Sequence, residues 1–169
     1  MSRSLSANAL REMFAPESDD TLIVLLTLSG GGISGSIRLA DNYTTRISET
    51  ADEVVYGVTS RTNDYTFLPI EVTLPTEEHE AAPRCQLTLH DVTQIIMPEI
   101  RTLTGPPSVL LELVLVSDPD TVEASFPGLM LAGVTYNADT ISGELTVASL
   151  ASEPFPAHTF TPSYFPGLF

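Results

Sequence analysis

Four residues of this sequence have side chains that readily bind a transition metal: His79, His90, His158 and Cys85. A helical zinc site places two ligands three or four residues apart, and no two of the histidines have that spacing. Cys85 and His90 are five residues apart, and on one strand an odd separation directs them to opposite faces. Cys85 alternates with apolar residues, which indicates a core thiol rather than a nucleophile. We therefore predict neither a metal nor a cofactor here.

A glycine-rich segment is the second place where chemistry is conceivable. Gly30, Gly32 and Gly35 match the G-x-G-x-x-G spacing of dinucleotide-binding turns and follow an apolar run. Such a site needs a helix directly after the glycines, because the helix N-terminus holds the pyrophosphate. The next residues alternate as a strand instead, so the sequence favours a flexible connection between two strands. All seven basic residues are arginine, which excludes a Walker P-loop, since that motif requires lysine.

Acidic residues offer two further candidates. Asp118, Asp120 and Glu123 resemble calcium ligands, but an EF-hand loop needs glycine at position six and glutamate at position twelve. These positions hold Glu123 and Leu129, so we predict a turn. The acidic cluster at 77–80 is typical of a solvated loop. No nucleophile elbow is present and no spacing singles out a carboxylate pair, so we predict that the protein is not an enzyme.

Composition narrows the possible partners. The net charge of −15 disfavours nucleic acid and anionic membranes, and the seven arginines are scattered along 169 residues. A single cysteine gives no internal disulfide framework. The opening residues lack the apolar core of a signal peptide, and the longest apolar run, 22–28, is too short to cross a bilayer. We expect folding in a cytoplasm.

The last seventeen residues, 153–169, form an uncommon segment that we call the arm. Its aromatic residues are too dense for a solvated tail, and its prolines favour an extended backbone. Such a segment buries itself either on its own domain or on a neighbouring subunit. The predicted interface residues in the arm are Phe155, Phe160, Tyr164, Phe165 and Phe169. A second predicted set lies on an amphipathic N-terminal helix: Leu5, Leu10 and Phe14.

The elements that would position these residues are mostly strands. Alternating or continuous apolar runs predict strands at 22–28, 33–39, 54–58, 68–74, 85–89, 109–116, 122–126, 129–136 and 141–147. Pro69 either places its strand at a sheet edge or shortens it. A helix is predicted over 4–14, capped by Ser4 or Ser6, and a short or kinked helix over Asp91–Leu103, with Asp91 as a plausible cap. The pattern predicts a mainly β chain: one β-sandwich or barrel-like domain, 1–152, with a short N-terminal helix, one central helix and an extended C-terminal arm, 153–169.

Several segments are similar to a family of tailed-phage and prophage proteins encoded among tail genes. They are ALREMFAPESDDTLIVLLTL, HDVTQIIMPEIRTL, the central LTGPPSVLLELVLVSDPDTVE and the closing EPFPAHTFTPSYFPGLF. The most specific parts are the P-P-x-V strand with S-D-P-D and the terminal F-P-G-L-F. Together these segments cover most of the chain.

The resemblance implies a virion structural protein at the tip, or baseplate, of a long non-contractile tail. Its implied partners are the tail tube, the central hub and further copies of the chain, in a ring of threefold or sixfold symmetry. It implies no catalytic residue. Three alternatives remain: an assembly factor that leaves before the particle is mature, a module that binds host glycans and, least favoured, a hydrolase with a dispersed acidic site.

Overall fold

A computed structural model of the protein describes residues 5–15, 20–50, 54–73, 84–90 and 96–147. Two helices are present in these ranges, α1 at Ala7–Phe14 and α2 at Met97–Arg101. The ten strands are β1 Leu22–Ser29, β2 Ser36–Ala40, β3 Thr45–Glu49, β4 Val54–Ser60, β5 Asn63–Phe67, β6 Ile70–Val72, β7 Arg84–His90, β8 Ser108–Leu115, β9 Val122–Tyr136 and β10 Thr140–Val147. Strands make up 59% of the described residues, which confirms the mainly β class.

All ten strands belong to one open sheet with the order β3-β4-β5-β2-β1-β8-β9-β10-β7-β6. Neighbours are antiparallel except for β2 and β5, which are parallel over a short pairing, so the sheet is mixed. β1 lies near the centre and buries both faces: Ile23 and Leu25 on one side, Leu26 and Leu28 on the other. This two-sided burial explains why β1 reads as a continuous apolar run rather than an alternating one.

A two-residue connection shows that the sheet folds back on itself. β5 ends at Phe67 and β6 begins at Ile70, although the two strands are third and tenth in the order. Three Cα–Cα steps span at most about 11 Å, whereas seven strand spacings in a flat sheet would span roughly 33 Å. The sheet must therefore curl until its β6 edge approaches β5, as in the predicted sandwich-like fold.

The curled sheet encloses the larger of two cores. This inner core contains buried residues of β1, β2 and β7–β10, together with Ile96, Met97 and Ile100 from the α2 segment. A second core lies on the opposite face of β1, where Ile23 and Leu25 are buried with residues of β4, β5 and β8. We call the three strands β3–β5 the leaf. Val58 of β4 and Tyr65 of β5 belong to this second core, so the leaf covers one face of the central strands.

Two predicted strands are in fact one. We predicted separate strands at 122–126 and 129–136, but β9 runs unbroken from Val122 to Tyr136. The pairing with β8 steps from Val109↔Leu129 to Leu111↔Phe126, so a bulge absorbs Pro127 and Gly128. Proline lacks a ladder donor, and a bulge is one of the places in a sheet that tolerates it.

Other boundaries also differ from the prediction. β3 and β5 were not predicted, and the strand expected from Ile33 begins only at Ser36. The central helix is shorter than 91–103: α2 has five residues, with Pro98 in its first turn, where proline is tolerated. Ile96 occupies the N-cap position of α2, and Asp91, the predicted cap, lies outside the described residues.

The prediction that Pro69 places its strand at an edge or shortens it is confirmed, since β6 is the last of the described strands in the order and has only three residues. The acidic loop at 77–80, His79, His158 and the arm lie outside the described residues. Within the described ranges, none of the helices has the length and apolar character needed to span a membrane.

Candidate functional site

The N-terminal helix is held to the sheet by a buried carboxylate. Ser6 caps α1, as predicted, by accepting a hydrogen bond from Ala9 N at 3.1 Å. Glu123 of β9 is buried, and its two oxygens accept bonds from the Ser6 amide and the Ser6 hydroxyl, each at 2.7 Å. A carboxylate at a helix N-terminus also interacts favourably with the helix dipole. Glu123 therefore holds the N-terminus of α1 against β9. This role differs from calcium binding, for which its sequence position was considered.

The outer surface of α1 exposes apolar residues. Ala9 is buried, whereas Leu10 is exposed and the Phe14 side chain is 82% exposed. Leu10 and Phe14 are four residues apart and so share a helix face. Leu5 is half-buried and precedes the cap, so it lies outside the helix on which we predicted it. An exposed phenylalanine and leucine on one face are suited to a contact with another molecule.

A second exposed apolar surface was not predicted. We call Tyr43, Tyr56 and Phe67 the aromatic patch: the Tyr43 ring centroid lies 5.6 Å from that of Tyr56 and 5.1 Å from that of Phe67. Tyr43 and Tyr56 are both largely exposed. Between Tyr56 and Val58, a Cβ at Gly57 would lie 1.9 Å from the carbonyl oxygen of Tyr65. Glycine at this position lets β4 and β5 approach closely enough to form the patch.

A third surface is a cleft beside α2, which we call the proline groove. It has a volume of about 480 Å³ and is lined mainly by uncharged residues, including Ile100, Leu103, Pro106, Pro107, Val134 and Tyr136. At its rim, the Arg101 guanidinium lies 5.8 Å from the Tyr136 ring centroid, within the range of a cation–π contact. The groove thus combines proline, aliphatic and aromatic walls.

The glycine segment packs against the loop 104–107 that lines this groove. Gly31 has a φ of +65°, and a Cβ there would lie 2.7 Å from the carbonyl oxygen of Gly105. The amide of Thr104 donates to the carbonyl of Gly31 at 2.8 Å, and the amide of Leu131 donates to the carbonyl of Pro107 at 3.0 Å. The G-x-G-x-x-G segment is a connection between β1 and β2, as predicted. Its tight turn fixes the loop that carries the two prolines.

A family model for a domain of unknown function, DUF1833, matches residues 32–160. The chain belongs to the DUF1833 family. None of the curated proteins compared with the chain matches it. The DUF1833 match includes the aromatic patch, the proline groove and the first part of the arm, up to Phe160. It begins after α1 and β1, so the Leu10–Phe14 surface lies outside the DUF1833 region.

Within the DUF1833 region, Cys85 is a core residue, as predicted. It is almost completely buried in the inner core, and burial raises the pKa of its thiol. His90, at the other end of β7, is half-buried, and its Nε2 lies 3.4 Å from a carboxylate oxygen of Glu71. In the described ranges, no group of three or more histidine, cysteine, aspartate or glutamate side chains is placed to hold a metal ion.

The predicted Asp118–Asp120 turn is confirmed. It forms hydrogen bonds with the β4–β5 hairpin of the leaf. Asp120 Oδ1 accepts a hydrogen bond from the Arg61 amide at 2.6 Å, and the Pro119 carbonyl accepts one from the Ser60 hydroxyl at 2.6 Å. Arg61 also donates to both oxygens of Glu112 on β8, at 3.1 and 2.5 Å. The hydrogen bonds with Glu112 raise the pKa of the Arg61 guanidinium above its ordinary value. The contacts hold the β4–β5 hairpin against the centre of the sheet.

Asp41 is another partly buried carboxylate that bonds to the backbone. It follows β2, and its Oδ1 accepts a hydrogen bond from the Val24 amide at 2.8 Å. Burial raises the pKa of Asp41, and the bond from Val24 opposes that change. The carboxylate therefore supports the backbone between β1 and β2.

The predicted interface residues fall into two groups, those that the structure describes and those that it does not. Leu10 and Phe14 are exposed on one helix face, as an interface requires, while Leu5 is only partly exposed. Phe155, Phe160, Tyr164, Phe165 and Phe169 lie outside the described residues, so their role stays a prediction. The sequence did not single out the aromatic patch or the proline groove, because each combines residues from separate strands and loops.

Proposed function

We propose that the protein is a structural component of the tip of a long non-contractile phage tail, where a ring of its copies joins the tail tube to the central hub. The resemblance of four segments to tail-gene products supports this assignment. In this proposal the chain folds in the host cytoplasm and is then built into the tail tip. Its partners are the tube, the hub and neighbouring copies.

The observation that carries the proposal is the exposure of apolar surface in a strongly acidic chain. Phe14 and Leu10 on α1, together with Tyr43 and Tyr56 on the aromatic patch, project from a protein of net charge −15. Large aromatic side chains that stay exposed in a monomer often become anchors when an interface forms. The apolar surfaces supply contact area, while the acidic charge keeps free copies soluble until they assemble.

Mass spectrometry of purified particles provides the first test. A structural tip component is expected in mature virions at a fixed ratio to the other tail proteins. An assembly factor would be present in the infected cell and absent from the purified particle. Absence from mature particles would remove the structural proposal.

Deletion of residues 153–169 in the phage or prophage provides the second test. We expect tails that stop before tip completion, or particles from which the truncated chain is missing. Asp139→Asn is a suitable control, because Asp139 is exposed in the turn between β9 and β10. Normal tails containing normal amounts of the truncated chain would contradict the assigned role of the arm.

The aromatic patch favours one other function, binding of host glycans. Tyr43 and Tyr56 are solvent-facing rings, and sugar rings stack on such surfaces. If this function is correct, the isolated protein should bind a defined set of glycans, and Tyr43→Ala with Tyr56→Ala should abolish that binding. A glycan array without reproducible signal for the unaltered chain would eliminate this alternative.

A further inference from the structure

We propose that the proline groove is the receptor for residues 154–169 of a second copy of this chain. The inference rests on the proposed function, because it identifies a contact by which copies would join in a tail-tip ring. Three observations carry it: the chemistry of the groove, the composition of the arm, and the direction in which the chain leaves β10.

The groove suits an extended, apolar segment. Its lining combines Pro106 and Pro107, aliphatic residues from α2 and β9, and Tyr136, half of whose surface is exposed. Grooves lined by aromatic and apolar residues bind proline-rich segments in polyproline II geometry. The residues that line the groove include neither aspartate nor glutamate, in a chain with 22 acidic residues.

The arm has the complementary composition. Residues 154–169 read PFPAHTFTPSYFPGLF and contain no aspartate, glutamate, lysine or arginine. A segment without charged Asp, Glu, Lys or Arg side chains avoids the large cost of removing such ions from water when it enters an uncharged groove. The four prolines restrict the free segment, so less conformational entropy is lost when it binds.

The topology favours the groove of a neighbour over the chain's own groove. Along β10, Leu145 pairs with Leu131 and Val147 pairs with Leu129. The groove extends along β9 from Leu131 to Tyr136, so a chain leaving β10 at Val147 moves away from it. An arm that continues in the direction of β10 therefore leads away from the groove of its own molecule, and only a turn before the arm would bring it back. The same direction leaves the arm free to enter the groove of a neighbouring copy.

This arrangement has a consequence for assembly. The arm and the groove are different surfaces of one chain, so the contact between copies is heterologous. Heterologous contacts between identical subunits produce rings when the rotation between neighbours closes. The proposed contact is therefore compatible with a ring of either predicted symmetry.

Hydrogen exchange of the full-length protein, read by mass spectrometry, tests the assignment. Exchange of peptides covering 154–169 should be about sixfold slower at a protein concentration of roughly 100 μM than at roughly 1 μM, as expected for a dissociation constant of about 1 μM. Tyr136→Glu should abolish this concentration-dependent protection, because it removes the rim aromatic and places a charge in the groove. Tyr56→Glu is the matched control: Tyr56 is 48% exposed and Tyr136 51%, and Tyr56 lies on the aromatic patch. The control variant should keep the protection.

Three results would overturn the proposal. Arm protection that is the same at both concentrations would show that the arm binds its own molecule. Loss of protection in Tyr56→Glu but not in Tyr136→Glu would assign the receptor to the aromatic patch. An arm that exchanges freely at both concentrations would show that copies do not join through it. These outcomes are independent of virion mass spectrometry, so the tail-tip assignment and the arm–groove contact can fail separately.

Discussion

Replacement of Arg61 by alanine tests how the leaf is held over the central strands. Arg61 occupies the tip of the β4–β5 hairpin and donates to both carboxylate oxygens of Glu112. The Glu112 residue is only 5% exposed, so the substitution leaves a carboxylate in the second core without its cation. Both arginine and alanine carry a Cβ, so the cost of the positive φ of 48° at this position changes little.

The expected loss of stability follows from the burial of the pair. Removal of one partner from a fully buried ion pair costs about 3–5 kcal/mol. The Arg61 side chain is 41% exposed, so water reaches one side of the pair and reduces the expected cost to roughly 2–3 kcal/mol. With a urea m-value of about 2 kcal/mol/M, the midpoint of unfolding should fall by about 1–1.5 M.

Urea unfolding followed by far-ultraviolet circular dichroism measures this change, since the chain has no tryptophan. Arg46→Ala is the control: Arg46 and Glu49 form an ion pair of 2.6 Å on β3, with both side chains more than half exposed. That variant should lose no more than about 0.5 kcal/mol. Equal losses in Arg61→Ala and Arg46→Ala would refute the argument that burial determines the strength of the contact.

A double variant separates the ion pair from the geometry of the hairpin. Adding Glu112→Leu to Arg61→Ala removes the buried charge and places an aliphatic side chain beside Ile23, Leu25 and Val114 of the second core. The double variant should be more stable than Arg61→Ala alone, because apolar replacements of buried ion pairs are often neutral or stabilising. A double variant no more stable than Arg61→Ala would show that the unpaired carboxylate is not the source of the loss.

Three further predictions concern single positions. Gly31→Ala should lower the free energy of unfolding by at least about 1 kcal/mol more than Gly30→Ala in the same urea assay. Both positions have positive φ, but only at Gly31 would a Cβ lie 2.7 Å from the Gly105 carbonyl oxygen. Equal losses of stability in the two variants would contradict this reasoning. Asp41→Asn should raise the free energy of unfolding at pH 7, because a pKa raised by burial means that folding disfavours the charged form. The gain should disappear as the pH falls through the raised pKa and below the unfolded value of about 3.9, and a gain unchanged at acid pH would be inconsistent with burial as its cause. Cys85 should react with a thiol reagent at pH 8 only after urea unfolding, since burial raises its pKa and blocks access, and rapid labelling of the folded chain would refute its core placement.

Much of the fold follows from local patterns in the sequence. The continuous run Leu22–Leu28 and the alternation of Cys85, Leu87 and Leu89 predicted β1 and β7, because burial of one or both strand faces imposes a period of two or a continuous apolar run. Pro69 predicted a sheet edge or a shortened strand, since proline cannot donate to a ladder. Ser6 was recognised as a possible cap because its hydroxyl can accept a helical amide bond.

The leaf was harder to predict. β3 contains a single large apolar residue, Ile47, and β5 begins with Asn63 and Asp64, so neither strand shows a strong hydrophobic period. These strands are stabilised by pairing with β4 and by the contact of Arg61 with Glu112, residues 51 positions apart. A local pattern contains no information about such a contact, because it arises only after the sheet has curled.

The sequence by itself determined the class of the chain, the positions of its central strands and the lack of Asp, Glu, Lys and Arg in residues 154–169, since composition and short-range periodicity control burial and charge. Tertiary structure decided which side chains meet. It brought Tyr43, Tyr56 and Phe67 into one patch, and it joined Pro106 and Pro107 to Tyr136 in one groove. The physical reason is that a surface depends on the register and curvature of the whole sheet, and these are fixed by contacts between residues far apart in the chain.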